Sequence, residues 1–191
     1  MDAATFAAIV RKEFEFLARD YGFLLVNDEN FDVSFESKDV FFSVNYDARR
    51  SYEIDAYFGQ KIKRAHTYSL GNLLQMQDKE RFLRFSVLQA SADEDVKWCV
   101  EQLASLVSSL GRKILVNDIQ SFETLQELRA ENALDYARTL KFEQMRKQAH
   151  IAWQQKDYVK LVELFEPFES LLTKSEAMKL KLSKNRATNA D

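Results

Sequence analysis

Residues 31–58 read FDVSFESKDVFFSVNYDARRSYEIDAYF, and their pattern is the clearest indication of the fold. It contains three runs in which apolar and polar residues alternate, and short polar segments separate the runs. The runs cover residues 31–36, 40–46 and 52–58, and the separating segments cover residues 37–39 and 47–50. Alternation with a period of two predicts strands with one buried face, and short polar turns predict antiparallel pairing. We therefore expect an antiparallel β-meander.

Helical periodicity precedes the meander. Apolar residues at three- and four-residue steps predict a helix over residues 3–21, which Asp2 can cap and Gly22 can end in the left-handed conformation. A short apolar run at residues 23–26 is bounded by turn-forming residues 27–30, and residues 61–67 are a candidate edge strand. We expect an antiparallel sheet of three to five strands packed on the N-terminal helix.

Helical periodicity returns after the meander. Ser69 and Asp78 are predicted to cap short helices, and Ser91 with Glu94 forms a candidate capping box before an apolar helix that ends at Gly111. The remaining pattern predicts one long or two abutting helices over residues 118–155, a helix over 158–165, and a basic helix over 173–184. The predicted class is α+β, with an α+β domain at residues 1–112 and a helical arm or extension at 113–191. The core prediction is a set of nine apolar residues: Phe6, Phe14, Leu17, Phe35, Phe42, Val44, Ile54, Leu103 and Val107.

Composition restricts the class of protein. The chain has 191 residues, is 46% hydrophobic and carries a net charge of −3, which suits a protein with a substantial core. Its single cysteine, Cys99, cannot form an internal disulfide, and the first residues lack the basic and apolar regions of a signal peptide. No apolar run is long enough to predict a transmembrane helix. We expect a cytoplasmic protein.

Charge is unevenly distributed along the chain. Residues 28–57 contain eight acids and three bases, whereas residues 174–186 contain five bases and one acid. The acidic segment coincides with the meander, so its polar face would repel nucleic acid and attract a cationic protein. The candidate partner-binding residues on that face are Asp32, Glu36, Phe41, Glu53, Asp55 and Tyr57. Two alternatives stay open: a merely solvated face, or a face covered by the basic arm of the same chain.

No catalytic or metal-binding set stands out. His66 and His150 each lack a neighbouring carboxylate in the sequence, and Cys99 lies on the apolar stripe of its predicted helix. The acids at residues 93–95 occupy a predicted first helical turn, where carboxylates stabilise the helix. The sequence therefore predicts no catalytic residue, no metal ligand and no cofactor, and it leaves the oligomeric state open.

Two resemblances complement this interpretation. Residues 149–153, 156–158 and 161–167 resemble one helical hairpin of the tetratricopeptide type, although Val162 stands where that pattern has a smaller residue. The chain as a whole resembles small bacterial immunity or antitoxin proteins in its residues 16–23, its hairpin at 33–46 and its segment 156–158. This second resemblance implies a non-enzymatic protein that acts by binding another protein.

The sequence thus favours a protein–protein interaction module, with an immunity or antitoxin role as the leading example. One alternative is an assembly adaptor acting through the helical arm, which an exposed apolar groove after residue 118 would indicate. Another is a hydrolase with scattered carboxylates, which a deep pocket lined by acids of raised pKa would indicate.

Overall fold

The computed structural model describes residues 1–63 and 66–188, and the side chain of Thr188 lies outside the description. Its helices are α1 (Ala3–Glu13), α2 (Glu15–Tyr21), α3 (Leu70–Gln77), α4 (Lys79–Arg84), α5 (Asp93–Leu110), α6 (Arg112–Leu115), α7 (Ile119–Gln154), α8 (Tyr158–Phe165) and α9 (Lys174–Thr188). Its strands are β1 (Leu24–Glu29), β2 (Asp32–Glu36), β3 (Val40–Tyr46), β4 (Glu53–Gln60), β5 (Tyr68–Ser69) and β6 (Leu88–Gln89). The two remaining helical segments, Lys61–Lys63 and Glu166–Leu171, are 3₁₀ turns.

All six strands join one antiparallel sheet, which confirms the α+β class. The order is β1-β2-β3-β4-β5, and β6 pairs with one end of β4. The expected edge strand at residues 61–67 is not formed by its described part, because Lys61–Lys63 is a 3₁₀ helix; positions 64 and 65 lie outside the described residues. The edge is instead the two-residue strand β5.

The turn between β1 and β2 is tighter than the sequence suggests. Strand β1 continues to Glu29, so only Asn30 and Phe31 connect the two strands, and both have positive φ angles of 54° and 63°. Positive φ at both central residues is the geometry of a two-residue hairpin turn. It is unfavourable for a bulky residue such as Phe31, whose ring packs 5.9 Å from Phe6 and 5.5 Å from Tyr46. These ring contacts hold the turn in place.

The core lies between the sheet and helices α1, α3 and α5. All nine predicted core residues are buried, and the rings of Phe14 and Phe42 lie 5.2 Å apart at its centre. Phe42 faces this core while Phe41 faces the opposite side of the sheet, as the alternation predicts.

Some helix ends lie where the sequence predicts them, and others do not. Asp2 caps α1 by accepting from the Thr5 amide, and Gly22 ends α2 with a φ angle of 68°. The predicted single helix over residues 3–21 is broken at Phe14, whose φ and ψ angles of −101° and 15° separate α1 from α2. The predicted capping box at Ser91 is wrong: α5 begins after Ala92 without a side-chain cap. The residues just before α5 are tied to the sheet region, since the Ala90 amide donates to the Tyr52 carbonyl at 3.0 Å.

The chain forms two compact units, Met1–Arg129 and Ala130–Asp191, and α7 runs from the first into the second. The sequence places the boundary earlier, near residue 112. Residues 113–129 group with the first unit because apolar side chains of α6 and of the start of α7 join its core: Ile114, Leu115, Phe122 and Leu125. In the part of the chain that is described, no helix is long and apolar enough to cross a membrane.

The second unit is a helical bundle with its own core. The predicted long helix and the break after it are confirmed: α7 ends at Gln154, Lys156 takes a φ angle of 59°, and Asp157 caps α8. Thr173 and Glu176 cap α9 reciprocally, as predicted. The core of this unit is built from residues of all its helices: Phe142, Ala149, Ala152, Leu161, Leu164, Phe165, Phe168 and Leu180.

Candidate protein-binding face

The side of the sheet opposite the core, here called the outer face, carries every predicted partner-binding residue. The ladders place Asp32 beside Asn45 and Asn45 beside Asp55, in one row across β2, β3 and β4. The next row contains Ser34, Ser43 and Tyr57, and the third contains Glu36, Phe41 and Gly59. Glu53 lies on the same face, beyond Asp55 on β4. The sheet therefore brings together Asp32, Glu36, Phe41, Glu53, Asp55 and Tyr57.

Internal contacts engage most of the acids on the outer face. Glu36 forms an ion pair with Lys61 at 2.6 Å. Asp32 accepts a hydrogen bond from the Ser34 hydroxyl at 2.7 Å, and Glu53 accepts a long one from Gln89 at 3.4 Å. Glu53 is exposed, whereas Asp32 and Glu36 are half-buried. Glu53 is consequently the most accessible predicted acid on this face.

Asp55 is a strongly perturbed carboxyl group of the outer face. Burial raises its pKa from 3.8 to about 6, and the nearby charge of Glu53 adds to this effect, while backbone amides of Ala56 and Leu70 oppose it. The Ala56 amide donates to Asp55 at 2.7 Å. Directly across the ladder, the Asn45 side-chain oxygen is buried without a hydrogen-bond partner among the described residues. A protonated Asp55 would present a donor beside this unpaired acceptor.

Phe41 has a structural function on the outer face. Its cross-strand partner is Gly59, and a Cβ atom at Gly59 would meet the Phe41 ring at 2.7 Å and the His66 carbonyl oxygen at 2.5 Å. The ring therefore covers the glycine backbone, and Phe41 itself is half-buried. An aromatic ring over a strand glycine supplies the packing that the glycine lacks.

Tyr57 lies in the middle of the sheet rather than at an exposed rim. It pairs with Ser43 on one side and with Ser69 on the other, and both neighbours are small. The pKa of its hydroxyl is raised by burial first and then by the charges of Asp55 and Glu53. The hydroxyl therefore stays protonated near neutral pH and can donate a hydrogen bond.

Among the described strands, the most exposed apolar residues lie on β1, and the sequence pattern did not predict their exposure. Leu24 pairs with Glu36 and is 72% exposed, and Val26 lies in a bulge of β1 and is 54% exposed. Among the described strands β1 pairs only with β2, so its outer edge has free backbone groups. The short apolar run at residues 23–26 is the only sequence feature that points to these side chains. It does not predict their exposure, because an apolar run also fits a buried strand.

A shallow cavity of about 310 Å³ opens on the same part of the outer face. It is lined by Ser34, Phe35, Glu36, Phe41, Ser43 and Thr67. The row of Leu24, Glu36 and Phe41 thus combines an exposed aliphatic group, an ion-paired carboxylate and one face of an aromatic ring. This mixture is typical of a protein-binding patch rather than of a catalytic pocket.

Other candidate groups have structural surroundings. Cys99 is buried, and burial together with the charge of Asp95 raises the pKa of its thiol, which disfavours a nucleophilic thiolate. The acids of residues 93–95 occupy the first turn of α5, as predicted. Within residues 1–63 and 66–188, no cluster of three or more His, Cys, Asp or Glu side chains could hold a metal ion.

Comparison with known proteins gives no relative: no protein-family model, no curated protein and no solved structure matches this chain.

Proposed function

We propose that this protein is a non-enzymatic protein-binding module that recognises a cationic protein partner through the outer face and the adjoining β1 edge. An immunity or antitoxin protein, which neutralises another protein by binding it, is the favoured example. The observation that carries the proposal is the row of Leu24, Glu36 and Phe41, which leads from the open edge of the sheet to its centre. Exposed aliphatic groups next to carboxylates provide both a desolvated contact and electrostatic steering.

The open edge of β1 adds a second kind of contact. An unpaired edge strand can accept a strand of a partner, whose backbone would satisfy the free amide and carbonyl groups. Leu24, Leu25 and Val26 are all exposed along this edge, and Asp28 and Glu29 follow them. A partner strand with apolar and basic residues would complement this order of side chains.

The distribution of perturbed acids favours binding over hydrolysis. Asp55 has a clearly raised pKa, but it does not line the cavity beside Phe41. A hydrolase of the scattered-carboxylate type needs at least a second acid or base placed around a shared substrate site. The acidic character of the face also disfavours a nucleic-acid ligand, because phosphates would be repelled.

Parallel capture from a lysate of the native host, with identification by mass spectrometry, tests this proposal. The baits are the wild-type protein, Leu24→Ser and Glu53→Lys. We expect one basic protein to be retained by the wild type and to be reduced on both variants, since one loses apolar area and the other reverses a charge. Both positions are exposed, so the fold should persist with an unfolding free energy changed by about 0.5 kcal/mol or less.

The matched control is Glu80→Lys, which makes the same charge reversal at an exposed position of α4, away from the outer face. It should retain the same partner as the wild type. Equal loss on Glu53→Lys and Glu80→Lys would mean that net charge, rather than the outer face, governs retention. Equal retention on all of them would remove the outer face as the binding site.

A further inference from the structure

The second unit contains a groove that is independent of the outer face. Its volume is about 410 Å³, which is within the usual range for ligand sites. Three helices line it, each with residues spaced by one turn. From α7 come Arg146, Lys147, Ala149, His150 and Trp153; from α8 come Leu161 and Phe165; from α9 come Glu176 and Lys179.

The floor of the groove is apolar and partly aromatic. Leu161, Phe165 and Ala149 are buried core residues of the second unit, and Trp153 is half-buried at the groove. The Trp153 ring is held by Tyr158, whose ring centroid lies 6.1 Å away at an angle of 70°. A fixed indole beside aliphatic groups is suited to receive a bulky apolar side chain.

The charged residues of the groove are not equally compensated. Arg146 forms an ion pair with Glu176 at 2.8 Å and also contacts Glu143, so its charge is neutralised within the unit. Lys179 and Lys147 have no carboxylate partner within 4.0 Å among the described residues. The Lys179 ammonium instead lies 5.6 Å from the centroid of the Trp153 ring. Two uncompensated cations therefore border the apolar floor, one on α7 and one on α9.

We propose that this groove binds an acidic peptide segment of another protein that carries a bulky apolar side chain. The apolar side chain would lie on Trp153, Leu161 and Phe165, and flanking carboxylates would pair with Lys147 and Lys179. Charge complementarity selects this ligand, because two cations that border an apolar floor match carboxylates that flank one apolar side chain. An apolar groove after residue 118 is the feature that would indicate an assembly adaptor. The proposal adds a specific ligand chemistry to that alternative.

Fluorescence titration with synthetic peptides tests the inference. The chain has two tryptophans, and Trp98 is exposed, so Trp98→Phe leaves Trp153 as the only reporter. The probe is a peptide in which a Leu-Phe pair is flanked on both sides by Glu and Asp. We expect the emission of Trp153 to change with this peptide until it saturates. The analogue flanked by Lys and Arg should give no saturation, and the analogue with Gly-Ser in place of Leu-Phe should give no saturation either.

Variants locate the site. Lys179→Glu should weaken binding roughly tenfold or more, since it replaces an attraction by a repulsion beside the ligand, and Lys179→Gln should weaken it less. The matched control is Lys181→Glu, which makes the same change at an exposed position of the same helix outside the groove. Its effect should stay within about twofold at physiological salt, because it lies farther from the ligand.

Three outcomes would overturn the inference: saturation by the basic peptide, equal weakening by Lys179→Glu and Lys181→Glu, or absence of saturation in the millimolar range. Circular dichroism and melting curves of the variants establish that the fold is retained in each case.

Discussion

Asn45 and Asp55 lie directly opposite each other on β3 and β4, and the Asn45 side-chain oxygen there is buried without a partner among the described residues. The pKa of Asp55 is raised to about 6, chiefly by burial. A raised pKa means that the folded state binds the proton more tightly than the unfolded chain does. Protonation of Asp55 therefore stabilises the fold. This contribution is complete at pH values below 3.8, the pKa of the group in the unfolded chain, and it is lost as pH rises through about 6, its pKa in the folded protein.

The first prediction concerns Asp55→Asn. Asparagine cannot ionise, so the variant avoids the unfavourable buried carboxylate above pH 6. The unfolding free energy of the variant minus that of the wild type should therefore be larger at pH 7.5 than at pH 4, by up to about 3 kcal/mol. Urea denaturation of both proteins at the two pH values measures this difference.

Asp47→Asn is the control for this comparison. Hydrogen bonds, with the Ser51 amide first, lower the pKa of Asp47 below 3.8. The Asp47 carboxylate stabilises the fold at pH values above 3.8, and this contribution is lost only as pH falls further. The stability of Asp47→Asn relative to the wild type should therefore change little between pH 4 and pH 7.5. A pH-independent effect of Asp55→Asn would contradict the assignment of a raised pKa to Asp55.

The second prediction concerns Gly59→Ala. The new methyl group would meet the His66 carbonyl oxygen at 2.5 Å and the Phe41 ring at 2.7 Å, and a backbone atom cannot simply rotate away. We expect a loss of about 1–3 kcal/mol in unfolding free energy, as for other overpacked positions. Gly71→Ala is the control, because its nearest neighbour is the Ser69 hydroxyl oxygen at 3.4 Å and the position is helical. Denaturation showing equal effects of the two substitutions would contradict the packing of Phe41 on Gly59.

The third prediction concerns the exposed edge strand. Leu24→Lys places a charge on β1, where Leu24 is 72% exposed, and charged edges discourage pairing between sheets. The variant should self-associate less than the wild type at high protein concentration, with an unfolding free energy changed by about 0.5 kcal/mol or less. Light scattering and denaturation measure the two effects separately. A destabilisation well beyond that range would mean that Leu24 packs in the fold rather than at an open edge.

Local patterns explain why much of the fold is predictable. The alternation from Val33 to Tyr46 specifies which side chains face the core, because a shift of one residue would reverse them all. Caps such as Asp2 and Asp78 act within one turn of their helices, so they are visible in the sequence. Neither feature depends on distant parts of the chain.

Long-range contacts explain what the sequence missed. Strand β6 consists of Leu88 and Gln89 alone and exists because it pairs with Glu53 and Ile54 of β4, so the sheet has six strands rather than at most five. The position of β1 at the sheet edge is also set by strand order rather than by its own composition. The outer face could therefore be predicted from alternation, whereas its exposed apolar edge at Leu24 could not.

Binding through the outer face is tested by the affinity of the captured partner for the wild type, Glu53→Lys and Tyr57→Ala, together with the melting temperature of each protein. Binding through the outer face predicts slower association for Glu53→Lys, with an effect that shrinks at high salt. For Tyr57→Ala it predicts faster dissociation, with a loss of about 2 kcal/mol if the ring is a central contact. Unchanged affinity of both variants, with melting temperatures like that of the wild type, would contradict the account.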